Sequence, residues 1–320
     1  MKAHSETGGL CQLRDRDMKT NTENIFSFID AYAESKEELY LEAIVEVCQK
    51  WLSGEIKPEV TEKFTKEDIR KGIQLAVLKG MQQNVQPNHQ MTPDSIGMLI
   101  GHIAGKLAAD EQSLTLLDPA AGTGNLLYTV MNAIENEVTA TAIEIDDLLV
   151  RLSAITAELL EHPVTFYVQD ALRPLFVDPV DITISDLPVG FYPDDENALN
   201  YELMPTEGHA YAHHLFIEQS MKHTKPGGHG LFIVPANLFE SDQSSVLHPY
   251  LKNKTIIRAI IQLPDSLFKN TAHAKSILIL QKPLPEKKVV HDVLLAKVPN
   301  MTDRHAMALF LQKIDIWASE

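Results

Sequence analysis

With 320 residues, 44% of them hydrophobic and 22% charged, the chain has the make-up of a soluble globular protein: one large domain, or one domain with a smaller companion. Its two cysteines, Cys11 and Cys48, lie in no CxxC, which excludes a disulfide scaffold and points to a reducing, cytoplasmic compartment. A formal net charge of −16 speaks against a basic nucleic-acid footprint, and no run of about 18 apolar residues is present to cross a membrane. The charge is uneven: residues 141–210 hold fourteen Asp and Glu against two basic residues, Arg151 and Arg173, as a solvated acidic face would.

Residues 1–20 are polar and lack the apolar stretch of a signal peptide, so they read as a mobile tail. Residues 21–86 read as a helical subdomain. Ile25, Phe26, Phe28 and Ile29, then Leu41, Ile44, Val45, Cys48 and Trp51, recur at helical spacing, with Cys48 as a small core residue. Thr65 suits the N-cap of a further helix, with Asp68 in its first turn. From residue 87 to 320 a second domain is expected. Strands are predicted at 114–118, 138–144, 164–168, 181–186, 230–235, 255–262, 275–281 and 291–297, and helices at 124–136, 146–160 and 210–224. Strands separated by helices predict an α/β fold with a mainly parallel, doubly wound sheet; the short links between the last three strands predict an antiparallel edge.

The chemistry gathers around the segment Asp118-Pro-Ala-Ala-Gly-Thr-Gly-Asn125. Gly122 and Gly124 follow a strand and precede a helix, where glycine lets the backbone approach a ligand. Glu144, twenty residues past Gly124, ends the next strand and suits the two ribose hydroxyls of a nucleoside. Asp170 follows the third strand, within reach of an exocyclic adenine amine. Three structures suit the loop: a tight strand-to-helix turn with solvated strand ends, a dinucleotide site, or an S-adenosylmethionine site. The dinucleotide fingerprint needs a third glycine where Leu127 stands, and Asp118 suits the cationic amino and sulfonium end of S-adenosylmethionine better than a pyrophosphate.

These residues resemble the adenine-specific N6 DNA methyltransferases, above all the modification subunits of type I restriction systems, over about residues 88–285. DPAAGTGN is similar to their cofactor loop, and Gln90-Met91-Thr92-Pro93 to the segment that closes over the methionine end of the cofactor. Lys225-Pro-Gly-Gly228 leading to Phe232-Ile-Val-Pro235, Leu263-Pro264 with Phe268, and Ser276-Ile-Leu-Ile-Leu280 follow the later strands of that family. The resemblance implies the seven-stranded, Rossmann-like methyltransferase fold. It also implies a cofactor site of Thr92, Pro93, Asp118, Ala120, Gly122, Gly124, Asn125, Leu126, Glu144, Ile145, Asp170, Ala171 and Asp186. Where the family has Asn-Pro-Pro-aromatic, this chain has Asp186-Leu187-Pro188-Val189. Asp186 and the Leu187 carbonyl would accept the two hydrogens of a target amine, and Pro188 keeps the turn rigid. Valine does not stack on a flipped base as an aromatic does, so Tyr192 or Phe191 is the aromatic candidate.

The chain has no spare length for a target-recognition module, so a recognition partner protein is implied for any DNA substrate. Residues 21–86 suit pocket covering, homodimerisation or partner docking. Lys252, Lys254, Arg258, Lys282, Lys287 and Lys288 suit either a modest basic patch or scattered solvated charges. His209 and His213, spaced HxxxH without a third ligand, read as surface histidines and not as a metal site. A methyltransferase of the N6-adenine type is the leading expectation. A catalytically silent cofactor-binding regulator or scaffold, and a methyltransferase for a small molecule or protein, stand beside it.

Overall fold

The computed structural model describes residues 20–37, 39–59, 63–83, 91–268, 270, 273–285 and 292–319. The tail with Cys11, the expected boundary at 86, Gln90, Lys287, Lys288 and residue 291 lie outside them. The chain divides into two compact units, Met1–Gln83 and Asn84–Glu320.

Among its described residues the first unit has three helices, α1 (Asn21–Glu34), α2 (Tyr40–Leu52) and α3 (Lys66–Gln83). Thr20 and Glu23 form a capping box at the start of α1. Thr65 and Asp68 exchange the same pair of bonds before α3, each at 3.0 Å, and so satisfy two backbone donors that a helix start leaves open. The apolar faces of α1 and α2 bury Ile25, Ile29, Ile44, Val47 and Cys48 completely. Burial pushes the Cys48 thiol up to about 12, which leaves almost no thiolate near neutral pH. An alkylating reagent at pH 8 is therefore expected to leave Cys48 unmodified in the native protein and to modify it after denaturation. Peptide mapping that finds rapid native labelling at Cys48 would contradict this packing.

The second unit is built on one eight-stranded sheet. Its elements run α4 (Asp94–Leu107), β1 (Ser113–Asp118), α5 (Asn125–Ala133), β2 (Glu137–Glu144), α6 (Asp147–Leu159), β3 (Val164–Val168), β4 (Val180–Asp186), α7 (Asp195–Ala198), α8 (Ala212–Lys222), β5 (Thr224–Pro235), α9 (Ser244–Lys254), β6 (Ile256–Gln262), β7 (Lys275–Gln281), β8 (Leu294–Lys297) and α10 (Arg304–Ala318). The strand order is β3-β2-β1-β4-β5-β7-β6-β8. All eight expected strands form. The order reverses between β1 and β4, so the carboxyl ends of these strands flank the crevice where open α/β sheets bind ligands.

The antiparallel strand is not at an edge. β7 runs against both its neighbours, β5 and β6, inside the sheet, while the edge strand β8 is parallel to β6. The crossover through α9 carries β6 past the position beside β5, and β7 returns into that gap. Its residues Ser276–Leu280 are buried on both faces, as a central strand requires.

Two surface expectations change. His213 and His214 are buried on α8, where Ala212–Met221 are enclosed on all sides; burial lowers their imidazoles to about 3 and about 4, so both are neutral. Arg258 is also buried. It sits at the register shift between Ile257 and Ala259, and its guanidinium lies 5.5 Å from the Trp317 ring centroid. Among the described residues, no helix is long and apolar enough to cross a membrane.

Candidate active site

The glycine loop sits between the carboxyl ends of β1 and β2. The Ala121 N–H donates to the Ile143 carbonyl (3.0 Å) and the Gly124 N–H to the Ala121 carbonyl (2.8 Å), which fold the loop into a tight turn. Gly122 and Gly124 both have positive φ, +54° and +77°. A Cβ on Gly122 would meet no atom within 4 Å, so this part of the loop borders open space. A Cβ on Gly124 would lie 2.4 Å from Ser153 Oγ and from the Tyr128 ring, so here the glycine serves packing.

Three carboxylates end successive neighbouring strands around this loop. Asp118, at the end of β1, is 1% exposed; its Oδ1 accepts the Ala120 N–H (3.2 Å) and the Ser185 hydroxyl (3.0 Å). Burial raises its carboxyl to about 7, against those two hydrogen bonds, and the nearby charges of Glu144 and Asp186 add to the rise. Glu144, at the end of β2, accepts three backbone donors: Gly122 N–H on Oε2 (2.9 Å), and Ile145 N–H (2.9 Å) and Asp146 N–H (3.0 Å) on Oε1. These bonds fix its orientation beside the loop. Ile145 itself is 69% exposed.

Asp186, at the end of β4, is the third. Its Oδ2 accepts the Thr92 hydroxyl (2.9 Å) and its Oδ1 pairs with Lys275 Nζ (2.6 Å). The Thr92 carbonyl in turn accepts Asn125 Nδ2 (2.9 Å). The segment before α4, the first residue of α5, the end of β4 and the start of β7 thus form one connected polar chain. Thr92 and Asn125 are buried, as is Leu126 behind them, while Pro93 is exposed and Ala120 half-buried.

The rest of the expected site divides in two. Asp170, after β3, accepts the Leu172 N–H (2.9 Å) on Oδ1 and the Tyr192 hydroxyl (2.5 Å) on Oδ2. Tyr192 is buried and also accepts Asn197 Nδ2 (3.0 Å), and burial with the Asp170 bond pushes its phenol up to about 12. Its ring is thus committed to the floor beside Ala171, which is buried as well. Leu187 is buried and its N–H donates to the Ile233 carbonyl (3.2 Å), whereas Pro188 and Val189 are exposed. The aromatic presented by this loop is Phe191. It is 57% exposed and stacks on Tyr211 with centroids 4.9 Å apart and planes 6° from parallel.

Lys275 escaped sequence reasoning. It opens a strand that sequence alone does not orient. The antiparallel register, Lys275 opposite Pro235, carries it to the carboxyl end of the parallel strands.

Comparison with known proteins agrees with this architecture. The model of the family described as N-6 DNA Methylase matches residues 83–315, and that of the YtxK N-terminal helical domain matches residues 18–81. The uncharacterized protein YtxK of Bacillus subtilis is 45% identical over 298 residues, 91% of each chain. A Listeria monocytogenes structure assigned to the class I S-adenosylmethionine-dependent methyltransferases is 42% identical, with a TM-score of 0.85 over 93% of this chain and 99% of that one. At 14% identity, the type I restriction-modification methyltransferase subunit of Streptococcus thermophilus shares the fold, with a TM-score of 0.67 over 92% of this chain and 74% of that one. With its glycine loop, its acidic strand ends and the sheet order that sets them side by side, the chain belongs to the N-6 DNA methylase family and has the fold of the class I S-adenosylmethionine-dependent methyltransferases.

Proposed function

We propose that the crevice binds S-adenosylmethionine and that the chain transfers its methyl group to an amine held at Asp186-Leu187-Pro188. The observation that carries this reading is the row of carboxylates Asp118, Glu144 and Asp186 around an open, positive-φ loop. A buried carboxyl raised to about 7 fits a cationic ligand, because a nearby positive charge favours its ionised form. When bound, S-adenosylmethionine supplies an electrophilic methyl group on a sulfonium.

The residues take these roles. Asp118 faces the cationic end, and Thr92 with Pro93 closes the methionine side. Gly122 lets the backbone come close to the ligand and Gly124 keeps the turn packed on Ser153 and Tyr128, with Ala120, Asn125 and Leu126 shaping the loop. Glu144 accepts ribose hydroxyls, Ile145 covers the adenine face, and Asp170 with Ala171 meets its edge. Asp186 and the Leu187 carbonyl accept hydrogen bonds from the two N–H groups of the acceptor amine, which turns its lone pair toward the methyl group; positioning of this kind supplies rate. The family's acceptor, the N6 amine of adenine, is the substrate class proposed. A net charge of −16 assigns contacts with a DNA duplex to a recognition partner protein.

A second reading has its own support. Both Asp186 oxygens are already engaged and Val189 occupies the aromatic position, as in a cofactor-binding protein without turnover. Calorimetry with S-adenosylmethionine and with NAD, followed by transfer of labelled methyl to unmethylated DNA and RNA, separates the readings. Binding of the methyl donor with transfer that is lost in Asp186→Ala supports the first. Binding without transfer supports the second, and binding of NAD alone refutes both.

A further inference from the structure

We propose that Lys275 is a positioning residue for this site: with Thr92 it clamps the Asp186 carboxylate and cancels its charge, so that the Asp186–Lys275 pair serves where a neutral amide side chain would. The proposal rests on the reading of the crevice as a methyl-transfer site.

The geometry is specific. The ammonium lies 2.6 Å from Oδ1 and Thr92 Oγ1 lies 2.9 Å from Oδ2, so among the described residues each carboxylate oxygen has one donor. The two charged side chains are 22% and 19% exposed, so their pair is screened far less than a surface pair. A carboxylate offers about four lone-pair sites, and the clamp uses one on each oxygen. Acceptor capacity for an amine hydrogen therefore remains, on a side chain that cannot rotate.

Charge supplies the reason for a lysine here. Asp118 on β1, Glu144 on β2, Asp170 after β3 and Asp186 on β4 end neighbouring strands, and Asp94 of α4 bonds Asn125 (3.3 Å) at the same end. Glu144 and Asp186 both act to raise the Asp118 carboxyl. Lys275 Nζ on Oδ1 sets a positive charge against Asp186 within this row of carboxylates. Lys275 enters on β7, whose reversed direction brings its first residue to this end. A lysine ammonium is a compact point charge suited to one carboxylate oxygen.

Four variants of the full chain test this: Lys275→Met, Lys275→Arg, Asp186→Asn and the double variant Asp186→Asn with Lys275→Met. Each is assayed for S-adenosylmethionine affinity by calorimetry between pH 5.5 and 8.5, and for kcat and KM with unmethylated DNA. Lys275→Met is expected to lower kcat by about 10- to 100-fold with little change in KM, and Lys275→Arg to recover most of the loss. The pH at which affinity begins to fall should rise in Lys275→Met, because the positive charge that faces Asp186 beside Asp118 is gone. The double variant should restore both that pH and, to within about tenfold, kcat, because it removes two opposite charges together. Losses that simply multiply in the double variant, or an unmoved pH in Lys275→Met, would overturn the proposal. An effect on KM alone would instead make Lys275 a contact for an anionic substrate. If the wild-type chain binds the methyl donor but transfers nothing, the methyl-transfer reading fails while the pH comparison still decides the clamp.

Discussion

Alanine at Gly124 is expected to destabilise the second unit by about 2–4 kcal/mol and to abolish cofactor binding with it. Gly124 is the N-cap of α5 at φ +77°, a region that costs an L-residue about 1 kcal/mol. The larger part comes from space. The new Cβ would lie 2.4 Å from Ser153 Oγ and 2.4 and 2.6 Å from two atoms of the Tyr128 ring. Neither neighbour can move away cheaply: both are 1% exposed, and the Tyr128 hydroxyl is bonded to the Ser153 carbonyl at 2.6 Å. Overpacking of that kind typically costs about 1–3 kcal/mol. Gly122→Ala is the control. It shares the positive φ but meets no atom within 4 Å, so it should cost only about 1 kcal/mol while still removing S-adenosylmethionine affinity, by intruding on the space left for the ligand. Thermal denaturation and calorimetry on both variants check the pair. Equal destabilisation by the two would refute the division between a packing glycine and a ligand glycine.

The pattern along the chain made the strands legible because each is a short apolar run closed by turn residues. Periodicity does not report long-range pairing. Ser276–Leu280 announces a buried strand, but only its partners β5 and β6 reveal that it runs backward through the sheet interior, and Lys275 follows from that reversal. Helix α4 was obscured by its own composition. Gly97, Gly101 and Gly105 weaken its intrinsic helicity, and packing of Ile96, Leu99, Ile100 and Ile103 compensates in the fold. The polar identity of His213 and His214 concealed that α8 is enclosed on every side. In the crevice, the carboxylates were legible because each stands at a strand end, where chain order almost fixes position. Their partners were less so: that Glu144 is held by three loop donors and that Tyr192 is committed to Asp170 depend on loops folding back on the strands.

Asp118→Asn is expected to stabilise the ligand-free protein and to weaken S-adenosylmethionine binding, at the same pH and for the same reason. The Asp118 carboxyl is raised to about 7 by burial, with Glu144 and Asp186 adding to it, whereas an unfolded chain ionises near 4. A carboxyl raised on folding contributes stability that is complete below its unfolded value and is lost as the pH rises through about 7. At pH 8 the native state therefore carries a buried anion, and an asparagine of the same shape removes it. Its amide oxygen can still accept the Ala120 N–H and the Ser185 hydroxyl. The gain at pH 8 should be on the order of 1–3 kcal/mol, and it should vanish near pH 4, where aspartic acid and asparagine are both neutral. Binding moves the other way. A cationic ligand selects the ionised carboxyl, so wild-type affinity should be level above pH 7 and fall below it by up to about tenfold per pH unit. Asp118→Asn should show weak binding at every pH and no such slope. Melting temperatures at pH 4 and 8, with calorimetric titrations across the same range, decide it. A variant less stable than wild type at pH 8, or a wild-type affinity that ignores pH, would mean that Asp118 is a structural acceptor and that the cation of the ligand is met elsewhere.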